Sequence, residues 1–317
     1  MMNNKFHSIL FISCCVLLSH SVEAQSNSYP EHISVKFAFI SDTQSPMWLE
    51  SLLVARNQNE RGTRILLGSI LGDSSLSAVL HFGDVTECSA KEEAWLPIDS
   101  FLVRAKKRNL PVYAAIGNHD YFFSAKKGEE NFRKRFPEYR RTGYMVKIGD
   151  VAFVLLNSNF GRLADSEVVR QQTWYAAVLD SLEADSSVVT VIVGCHHPPF
   201  TNNSFFSGSE EVRREFVPPY LNHKKAKLFL SGHTHAFEHF KIENKDFLVL
   251  GGGGGLQHTL YLGKEQKEHD LFPDQTKKRM FHYIRCSADQ DSLRLSVMMV
   301  KKDFSGIASV YRFSIAR

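Results

Sequence analysis

Seven short apolar runs, each the length of a β-strand, recur along this chain of 317 residues and constrain its fold more than any other feature. Most are nearly continuous in apolar residues, as is typical of strands buried on both faces. They span Val35 to Ile40, Ala78 to Phe82, Val112 to Ile116, Val151 to Leu156, Val188 to Val193, Lys227 to Leu230 and Phe247 to Leu250. Between them, Lys91 to Arg108 and Gln171 to Ala184 carry apolar residues at helical spacing. This alternation predicts an α/β fold in which helices cover sheets.

The last part of the chain has a different pattern. Tyr283 to Cys286, Leu293 to Val300 and Val310 to Ile315 run apolar or alternate, with turn residues between them and no long helical pattern. They are predicted to be antiparallel strands that complete a second sheet. No linker rich in Pro, Gly or Ser divides the sequence and no internal repeat is present, so residues 25–317 are predicted to form one domain.

The N-terminus has the pattern of a secretion signal. Lys5 precedes an apolar stretch from Ile9 to Leu18, and Val22-Glu23-Ala24 resembles the small-residue cleavage site of a signal peptide. Residues 1–24 are therefore predicted to be a signal peptide, and the protein is expected to be exported, either secreted or periplasmic. The apolar stretch is short for a stable membrane span, which needs about 20 residues. A lipid anchor on Cys14 is the weaker alternative, because the residues before it match a lipoprotein processing site poorly.

Cysteine and charge exclude other classes. After signal cleavage only Cys88, Cys195 and Cys286 remain, an odd number that favours buried packing residues over a disulfide scaffold. The net charge is +4, from 38 basic and 34 acidic residues. The basic cluster Arg133-Lys134-Arg135 and Arg140-Arg141, with Pro137 between, is interpreted as a solvated helix face and turn, since a nucleic-acid groove would need a basic stripe with interleaved aromatic residues. No nucleic-acid partner is expected.

Five polar clusters follow the apolar runs and carry the chemistry. They are Asp42-Thr43-Gln44, Gly83-Asp84, Gly117-Asn118-His119-Asp120, His196-His197-Pro198 and Gly232-His233-Thr234-His235. One Asp or His after a strand is usually a turn or structural residue. Five such clusters supply the carboxylate, amide and imidazole donors of a site for two metal ions.

Particular positions within the clusters suggest particular roles. The two oxygens of Asp84 could bridge two cations, and Asn118 could offer an amide oxygen to one of them. Asp120 is expected to accept a hydrogen bond from His119 and so to hold its ring in one tautomer. The glycine run Gly251 to Gly255 directly follows a predicted strand, so its backbone is expected to pass close to other groups rather than to form a linker.

The order and content of these clusters resemble the calcineurin-like metallophosphoesterase superfamily over Asp42 through His235. The segment Gly232 to Glu238, followed by the glycine run, is similar to the purple acid phosphatase branch. The resemblance implies a four-layer sandwich of two mixed β-sheets flanked by helices, with a site for two metal ions (Mn, Fe or Zn) at one sheet edge.

The resemblance also implies a role for each matched residue. The metal ligands would be Asp42 and His235 on the first ion, Asp84 as the bridge, and Asn118, His196 and His233 on the second. His196 is preferred to His197 because the family pattern is His-x-Pro. His119 would contact the phosphate and protonate the leaving group after attack by hydroxide held between the two ions.

Two positions depart from the family pattern. Gln44 stands where many members have a second histidine on the first metal, and Glu87 stands where purple acid phosphatases have a metal-binding tyrosine. No tyrosinate-to-iron charge transfer is therefore expected. The first metal could be completed by Gln44, by Glu87 or by water.

The sequence thus predicts a metal-dependent phosphoester hydrolase acting on a small phosphoester. The alternatives are a phosphodiesterase rather than a phosphomonoesterase, or a non-catalytic metal-binding protein on the same fold. Aromatic residues in Tyr121 to Phe123 and in Thr201 to Gly208, together with His258, suit a nucleotide-like leaving group. The sequence contains none of the common motifs of a metalloprotease, a serine hydrolase or a dithiol redox enzyme, so these classes are not supported.

Overall fold

Two mixed β-sheets of six strands each form the centre of the fold. The computed structural model describes residues 34–47 and 56–317, so the predicted signal peptide lies outside the described residues. The strands are β1 (Val35–Ile40), β2 (Ala78–Phe82), β3 (Val112–Ala115), β4 (Tyr144–Ile148), β5 (Val151–Leu155), β6 (Thr190–Gly194), β7 (Ala226–Ser231), β8 (Phe237–Ile242), β9 (Lys245–Leu250), β10 (His282–Ala288), β11 (Ser292–Val300) and β12 (Ile307–Ala316). The first sheet has the order β12-β11-β10-β1-β2-β3, and the second has the order β4-β5-β6-β7-β9-β8.

Parallel strands occupy the part of each sheet that matters for the site. Strands β1, β2 and β3 pair in parallel, and so do β5, β6, β7 and β9. The helices are α1 (Arg56–Gly72), α2 (Leu96–Lys107), α3 (Ala125–Arg135), α4 (Asp165–Ala184), α5 (Glu210–Glu215) and α6 (Val217–Asn222). Parallel neighbours need crossover connections, and α2, α4 and the pair α5 and α6 lie in such connections. Within each set, the carboxyl ends of the strands therefore face the same way.

Strand periodicity divides the second sheet between two cores. In β5, Val151, Phe153 and Leu155 join a cluster shared with the first sheet, whereas Ala152 and Val154 join a second cluster with α4, α5 and α6. The Phe153 ring lies 4.8 Å from that of Phe37 and 6.1 Å from that of Phe39, which belong to the first sheet. One face of the second sheet thus packs on the first sheet and the other on helices, in agreement with the predicted sandwich.

The strand predictions are confirmed and the topology at the C-terminus is corrected. All seven predicted strands are present, with ends within two residues of the predicted ones. The three C-terminal strands are antiparallel, as expected, but β10 pairs with β1 and so extends the first sheet instead of completing the second. The reason is that β1 is paired by β2 on one side only, which leaves its other edge for β10.

Smaller predictions have mixed outcomes. Cys88, Cys195 and Cys286 are buried and free, as expected of packing residues. Within α3, Arg133 and Lys134 are more than half exposed, as expected of a solvated face. Arg135 is an exception, because its side chain packs over Trp95 and pairs with Asp99. In the part of the chain that the structure describes, no helix has both the length and the apolar character to span a membrane. The boundaries of the predicted domain stay a prediction.

Candidate metal centre

The five polar clusters meet at one place because they follow parallel strands. In the first sheet Asp42 follows β1, Asp84 follows β2, and Asn118 follows β3. In the second sheet His196 follows β6, and the His233 to His235 turn follows β7. The carboxyl ends of these strands from both stacked sheets lie at a shared edge, and the side chains of the clusters contact one another there.

A first group of potential metal ligands is buried. Atoms of Asp42, Asp84 and His235 lie within 4.8 Å of one another, and none of the three residues is more than 6% exposed. His235 Nε2 is 3.4 Å from Asp42 Oδ1, while its Nδ1 is 2.7 Å from the Leu256 carbonyl oxygen. Since a carbonyl can only accept, Nδ1 carries a proton, and Nε2 is the nitrogen that faces the carboxylates.

Gln44 lies beside this first group. Its amide lies 3.1 Å from His235 Nε2 and is almost fully buried. With the amide oxygen on that side, the amide nitrogen donates to the backbone oxygens of Asp42 at 3.2 Å and Asp84 at 2.9 Å. The hydrogen bonds therefore direct a neutral oxygen toward the group, as the sequence suggested. Glu87 belongs to neither group among the described residues and instead lines a neighbouring cavity of about 490 Å³.

A second group lies beside the first and shares Asp84 with it. His196 Nε2 is 3.2 Å from Asp84 Oδ2 and 3.1 Å from Asn118 Oδ1. The other ring nitrogen, Nδ1, is 2.9 Å from the Phe82 carbonyl oxygen, which again leaves Nε2 facing the site. Because Asp84 Oδ2 is also 3.5 Å from the Gln44 amide, one carboxylate oxygen stands between the two groups.

His197 also belongs to the second group, although the sequence interpretation left it out. Its ring lies with those of His196 and His233 in a set whose ligand atoms are within 4.8 Å of one another. Ser158 accepts from the His197 backbone N–H at 2.9 Å, and its oxygen is also 2.9 Å from His197 Nδ1. A sequence signal for Ser158 existed, because Asn157-Ser158-Asn159 is a polar cluster directly after a predicted strand.

The predicted hydrogen bond between His119 and Asp120 is not formed, so that prediction is wrong. Asp120 accepts from four other donors: the backbone N–H groups of Asp84 (3.1 Å), Val85 (3.3 Å) and Gly117 (2.8 Å), and the Ser89 hydroxyl (2.8 Å). His119 Nδ1 has no hydrogen-bond partner among the described residues. The cause is that the chain turns into a short 3₁₀ helix at His119–Tyr121, which directs the Asp120 carboxylate inward toward the loop backbone.

Asp120 therefore acts as a support for two polar clusters at once. Its fully buried carboxylate ties the loop after β2 to the loop after β3, and Asp84 and Asn118 stand on these loops. Burial and the nearby Asp84 charge raise the pKa of Asp120 to about 7. His119 is held differently, by its backbone N–H, which donates to Asp84 Oδ1 at 2.8 Å. Its side chain is 18% exposed and faces the open side of the site.

Backbone conformation shows that three of the ligand candidates are held under constraint. Asp42, Asp84 and His233 have φ angles of +58°, +52° and +67°. This left-handed region is uncommon for residues other than glycine, and conformations of this kind concentrate at functional sites. The surroundings fix Asp42 in particular, since its carboxylate accepts from the His233 backbone N–H at 3.0 and 3.1 Å.

The glycine run after β9 is packed against the loop that carries Asp42, which confirms the expected close approach. The Gly253 N–H donates to the Ser41 carbonyl at 2.9 Å, and the Gly255 N–H donates to the Asp42 carbonyl at 3.1 Å. A Cβ atom on Gly253 would lie 2.2 Å from the Ser41 oxygen, and one on Gly255 would lie 2.3 Å from the His235 ring. Side chains are therefore excluded along this stretch.

Burial and neighbouring charges divide the histidines into two kinds. Burial lowers the pKa of His197 to about 3, and burial with the charges of His197 and His196 lowers the pKa of His233 well below its usual value. Burial also opposes a charge on His196, but Asp84 outweighs this effect and raises the His196 pKa to about 9. Likewise Asp42 outweighs burial and raises the pKa of His235. Positive charge is thus favoured beside the two carboxylates.

The donor set fits metal ions. Carboxylate, amide and imidazole groups suit Mn, Fe or Zn, and the low pKa values leave His197 and His233 as neutral imidazoles with a lone pair to donate. Neither group contains cysteine among the described residues. The family model described as calcineurin-like phosphoesterase matches residues 35–237, well over half of the chain. The chain belongs to this family.

Solved structures share the family fold over most of the chain. A purple acid phosphatase from yellow lupin seeds superposes with a TM-score of 0.64 at 16% identity, covering 90% of this chain and 54% of that chain. GAP50, described as the anchor in the inner membrane complex of Plasmodium, gives 0.66 at 12% identity and covers 89% of both. A dimetal phosphatase from Danio rerio gives 0.58 at 14% identity, covering 89% and 98%. No curated protein sequence matches the chain.

At these identities the likeness shows the fold, and the role of each residue in this member of the family stays a prediction. The structure brings together every residue proposed from the sequence as a metal ligand, in two groups that share Asp84. The residues of the first group are buried, with Gln44 also lining the cavity of about 490 Å³, whereas the second group has half-buried members in Asn118, His197 and His233. The more accessible side chains of the site are therefore those of the second group.

Proposed function

We propose that this protein is a hydrolase of small phosphoesters that uses two bound metal ions. The observation that carries the proposal is the position of Asp84 Oδ2 between the two groups, 3.2 Å from His196 and 3.5 Å from Gln44. A carboxylate in this position can serve both ions. When bound, two ions would neutralise phosphoryl oxygens and lower the pKa of an attacking water.

The side chains have distinct roles in this proposal. Asp42, Gln44 and His235 would hold one ion, and Asn118, His196 and His233 would hold the other, with Asp84 between them. His119 would protonate the departing alkoxide, since its ring is accessible and its Nε2 lies 4.0 Å from Asp84 Oδ2. Asp120 would position the loops that carry Asp84 and His119, instead of acting on the His119 ring.

Metal content and turnover together test the proposal. The full chain should contain close to two metal ions by elemental analysis, and should release product from an aryl phosphate monoester only when metal is present. A bis-aryl phosphate tested beside it separates a phosphomonoesterase from a phosphodiesterase. We also propose that the protein is exported after cleavage at Ala24, and the mass of the mature chain would show that cleavage.

Variants divide metal binding from catalysis. Asp84→Ala should lose both metal and turnover, whereas His119→Ala should keep its metal and lose rate by about 10²–10⁴-fold on an alkyl phosphate. His223→Ala is a matched control, because His223 is 16% exposed and pairs with Asp180 away from the site. Equal rates for His119→Ala and the parent chain would contradict the role given to His119.

A non-catalytic metal-binding protein is the second candidate. It is favoured by Gln44, a weaker ligand than the histidine of many family members, and by the fold shared with GAP50, whose description is that of an anchor. One ion or none after reconstitution, with no turnover of either substrate, would make this candidate the leading one.

A further inference from the structure

Exposed phenylalanines gather at the candidate metal centre. The sequence has 24 phenylalanines, and the ones that are exposed within residues 34–47 and 58–317 are Phe122 (36%), Phe123 (78%), Phe205 (73%) and Phe206 (40%). All four flank the ligand groups. Single exposed apolar residues are common in folded proteins, whereas exposed apolar residues that cluster mark binding sites.

One pair lies at the second ligand group. The Phe206 ring is 4.9 Å from that of His233 and 5.1 Å from that of His258, and Phe205 is 6.1 Å from His258. His258 in turn stacks on the first-group ligand candidate His235 at 4.3 Å. The apolar surface of this pair therefore begins at the metal centre and extends outward from it.

The loop that carries this pair is fixed from beneath by buried polar groups. The Asn203 side-chain oxygen accepts from the backbone N–H groups of Phe205 at 2.8 Å and Phe206 at 3.0 Å. Glu238, fully buried, accepts from the Thr201 hydroxyl at 2.5 Å and from the Asn202 N–H at 2.7 Å. The two rings are thus presented by a preorganised loop, which reduces the entropy cost of binding a ligand.

The other pair, Phe122 and Phe123, lies beside His119. Neighbouring side chains connect His119 through Asp84 and His196 to His233, so this pair is at the opposite end of the site from Phe206. The Phe122 ring stacks on His119 at 5.8 Å, and Phe123 meets Phe122 edge-on at 5.2 Å. Phe123 has φ +60° inside a three-residue turn closed by the Ser124 N–H and the Phe122 carbonyl at 2.8 Å. A bulky residue in such a turn is strained, and the Phe123 ring is largely exposed, with the Lys91 ammonium 5.2 Å over it.

We propose that the Phe205–Phe206 pair binds a flat aromatic ring carried by the phosphoester, as in a nucleoside phosphate or an aryl-methyl phosphate. The inference rests on the proposed phosphoester hydrolase function and adds the class of substrate. Phe205 and Phe206 form the main stacking surface, because their loop is fixed and their rings adjoin His233. Phe122 and Phe123 lie at the other end of the site, where the Phe122 ring stacks on the proposed general acid His119.

The test compares esters that share the phosphate and differ in the ring. Adenosine 5′-monophosphate and ribose 5-phosphate have the same phosphorylated carbon, and benzyl phosphate carries a ring without a sugar. The ratio of kcat/KM for the adenosine ester to that for the ribose ester should fall by roughly 5- to 150-fold in Phe206→Ala and in Phe205→Ala. Phe206→Tyr keeps a ring and should preserve the ratio. Val169→Ala, 59% exposed in α4, is the control.

The outcomes are distinguishable. An unchanged ratio in both alanine variants would overturn the inference while leaving phosphoester hydrolysis intact. If benzyl phosphate is also preferred over ribose 5-phosphate, the site recognises aromatic rings in general. If only the adenosine ester is preferred, the site recognises a nucleobase. If no ester is hydrolysed, the hydrolase proposal fails. Ring recognition is then tested by calorimetry, which measures the affinity of the metal-loaded full chain for each ester. Equal affinities for adenosine 5′-monophosphate and ribose 5-phosphate would overturn ring recognition, and a preference lost in Phe205→Ala would support it.

Discussion

Replacing Gly253 with alanine should damage the metal centre without touching a ligand. Gly253 has an ordinary backbone conformation, so the effect of Gly253→Ala is one of space alone. The added methyl would lie 2.2 Å from the Ser41 carbonyl oxygen and 3.0 Å from Thr43 Cγ2. The carbonyl oxygen belongs to backbone and cannot rotate away, so the two segments must separate by about 1 Å to reach normal contact.

The cost follows from the hydrogen bonds that this separation breaks. The Gly253 N–H bond to Ser41 (2.9 Å) and the Thr63 hydroxyl bond to the Gly253 carbonyl (2.8 Å) would both be lost or stretched. Each contributes about 0.5–1.5 kcal/mol. Overpacking adds about 1–3 kcal/mol, which gives a loss of about 2–6 kcal/mol in the free energy of unfolding. Asp42, directly after Ser41, should be displaced, and the first ion should bind more weakly.

Gly68→Ala is the matched control for this prediction. Gly68 lies within α1, and a Cβ there meets nothing within 4 Å. The same methyl addition should therefore stabilise the chain by about 0.5–1 kcal/mol through helix propensity. Urea unfolding measures the free energy of unfolding of both variants, which can be compared directly if their m-values are equal. Elemental analysis measures their metal content.

The reasoning would be refuted if Gly253→Ala were as stable as Gly68→Ala and kept both ions. Loss of stability with full metal content would refute only the link between the glycine run and Asp42. Loss of metal with little change in stability would mean that the loop moves at low energetic cost, and the estimate from hydrogen bonds would then be wrong.

Three further predictions concern buried polar residues. Asp120→Asn should destabilise the chain by about 1–3 kcal/mol and weaken metal binding, because an amide cannot accept from all four donors. Urea unfolding and metal titration measure the two effects. The exposed control Asp303→Asn should change neither the stability nor the metal affinity. Burial, with a smaller effect of Asp270, raises the pKa of Glu238 to about 7. Its contribution to stability is therefore fully present below about pH 4.5 and lost as the pH rises through 7, by up to about 3 kcal/mol. Glu238→Gln should remove this loss, and identical pH–stability curves for the variant and the parent would contradict it. Gln44→His should tighten binding of the first ion by roughly tenfold, since imidazole is a stronger ligand than an amide; an unchanged metal titration would argue that Gln44 does not face that ion.

Much of the site could be predicted because one geometric rule places it. Polar residues that follow parallel buried strands must meet at a sheet edge, and this rule brought Asp42, Asp84 and His235 together from positions almost two hundred residues apart. The same rule applied to Asn157-Ser158-Asn159 would have found Ser158 and its contact with His197. The glycine run was predictable for a related reason, because glycine has no side chain to keep two backbones apart.

Side-chain direction after a strand could not be predicted. Asp120 and His119 are neighbours in sequence, but the 3₁₀ turn sends one inward and the other outward, and no composition or spacing shows this. The edge strands β4 and β8 were missed for a different reason. β4 alternates exposed and buried residues and includes Lys147, while β8 buries Glu238 and His239, so neither has the continuous apolar run that marked the other strands.

Each proposed ion would draw its ligands from both sheets, and this makes the distance between the sheets a property of the site. Asp42 and Asp84 are fixed to the first sheet, whereas His196, His233 and His235 are fixed to the second. The aromatic contacts among Phe37, Phe39 and Phe153 set how closely the sheets stack. A smaller residue at Phe153 would let the sheets shift and would change the separation of the ions. The packing of this apolar core therefore controls the spacing of the polar site beside it.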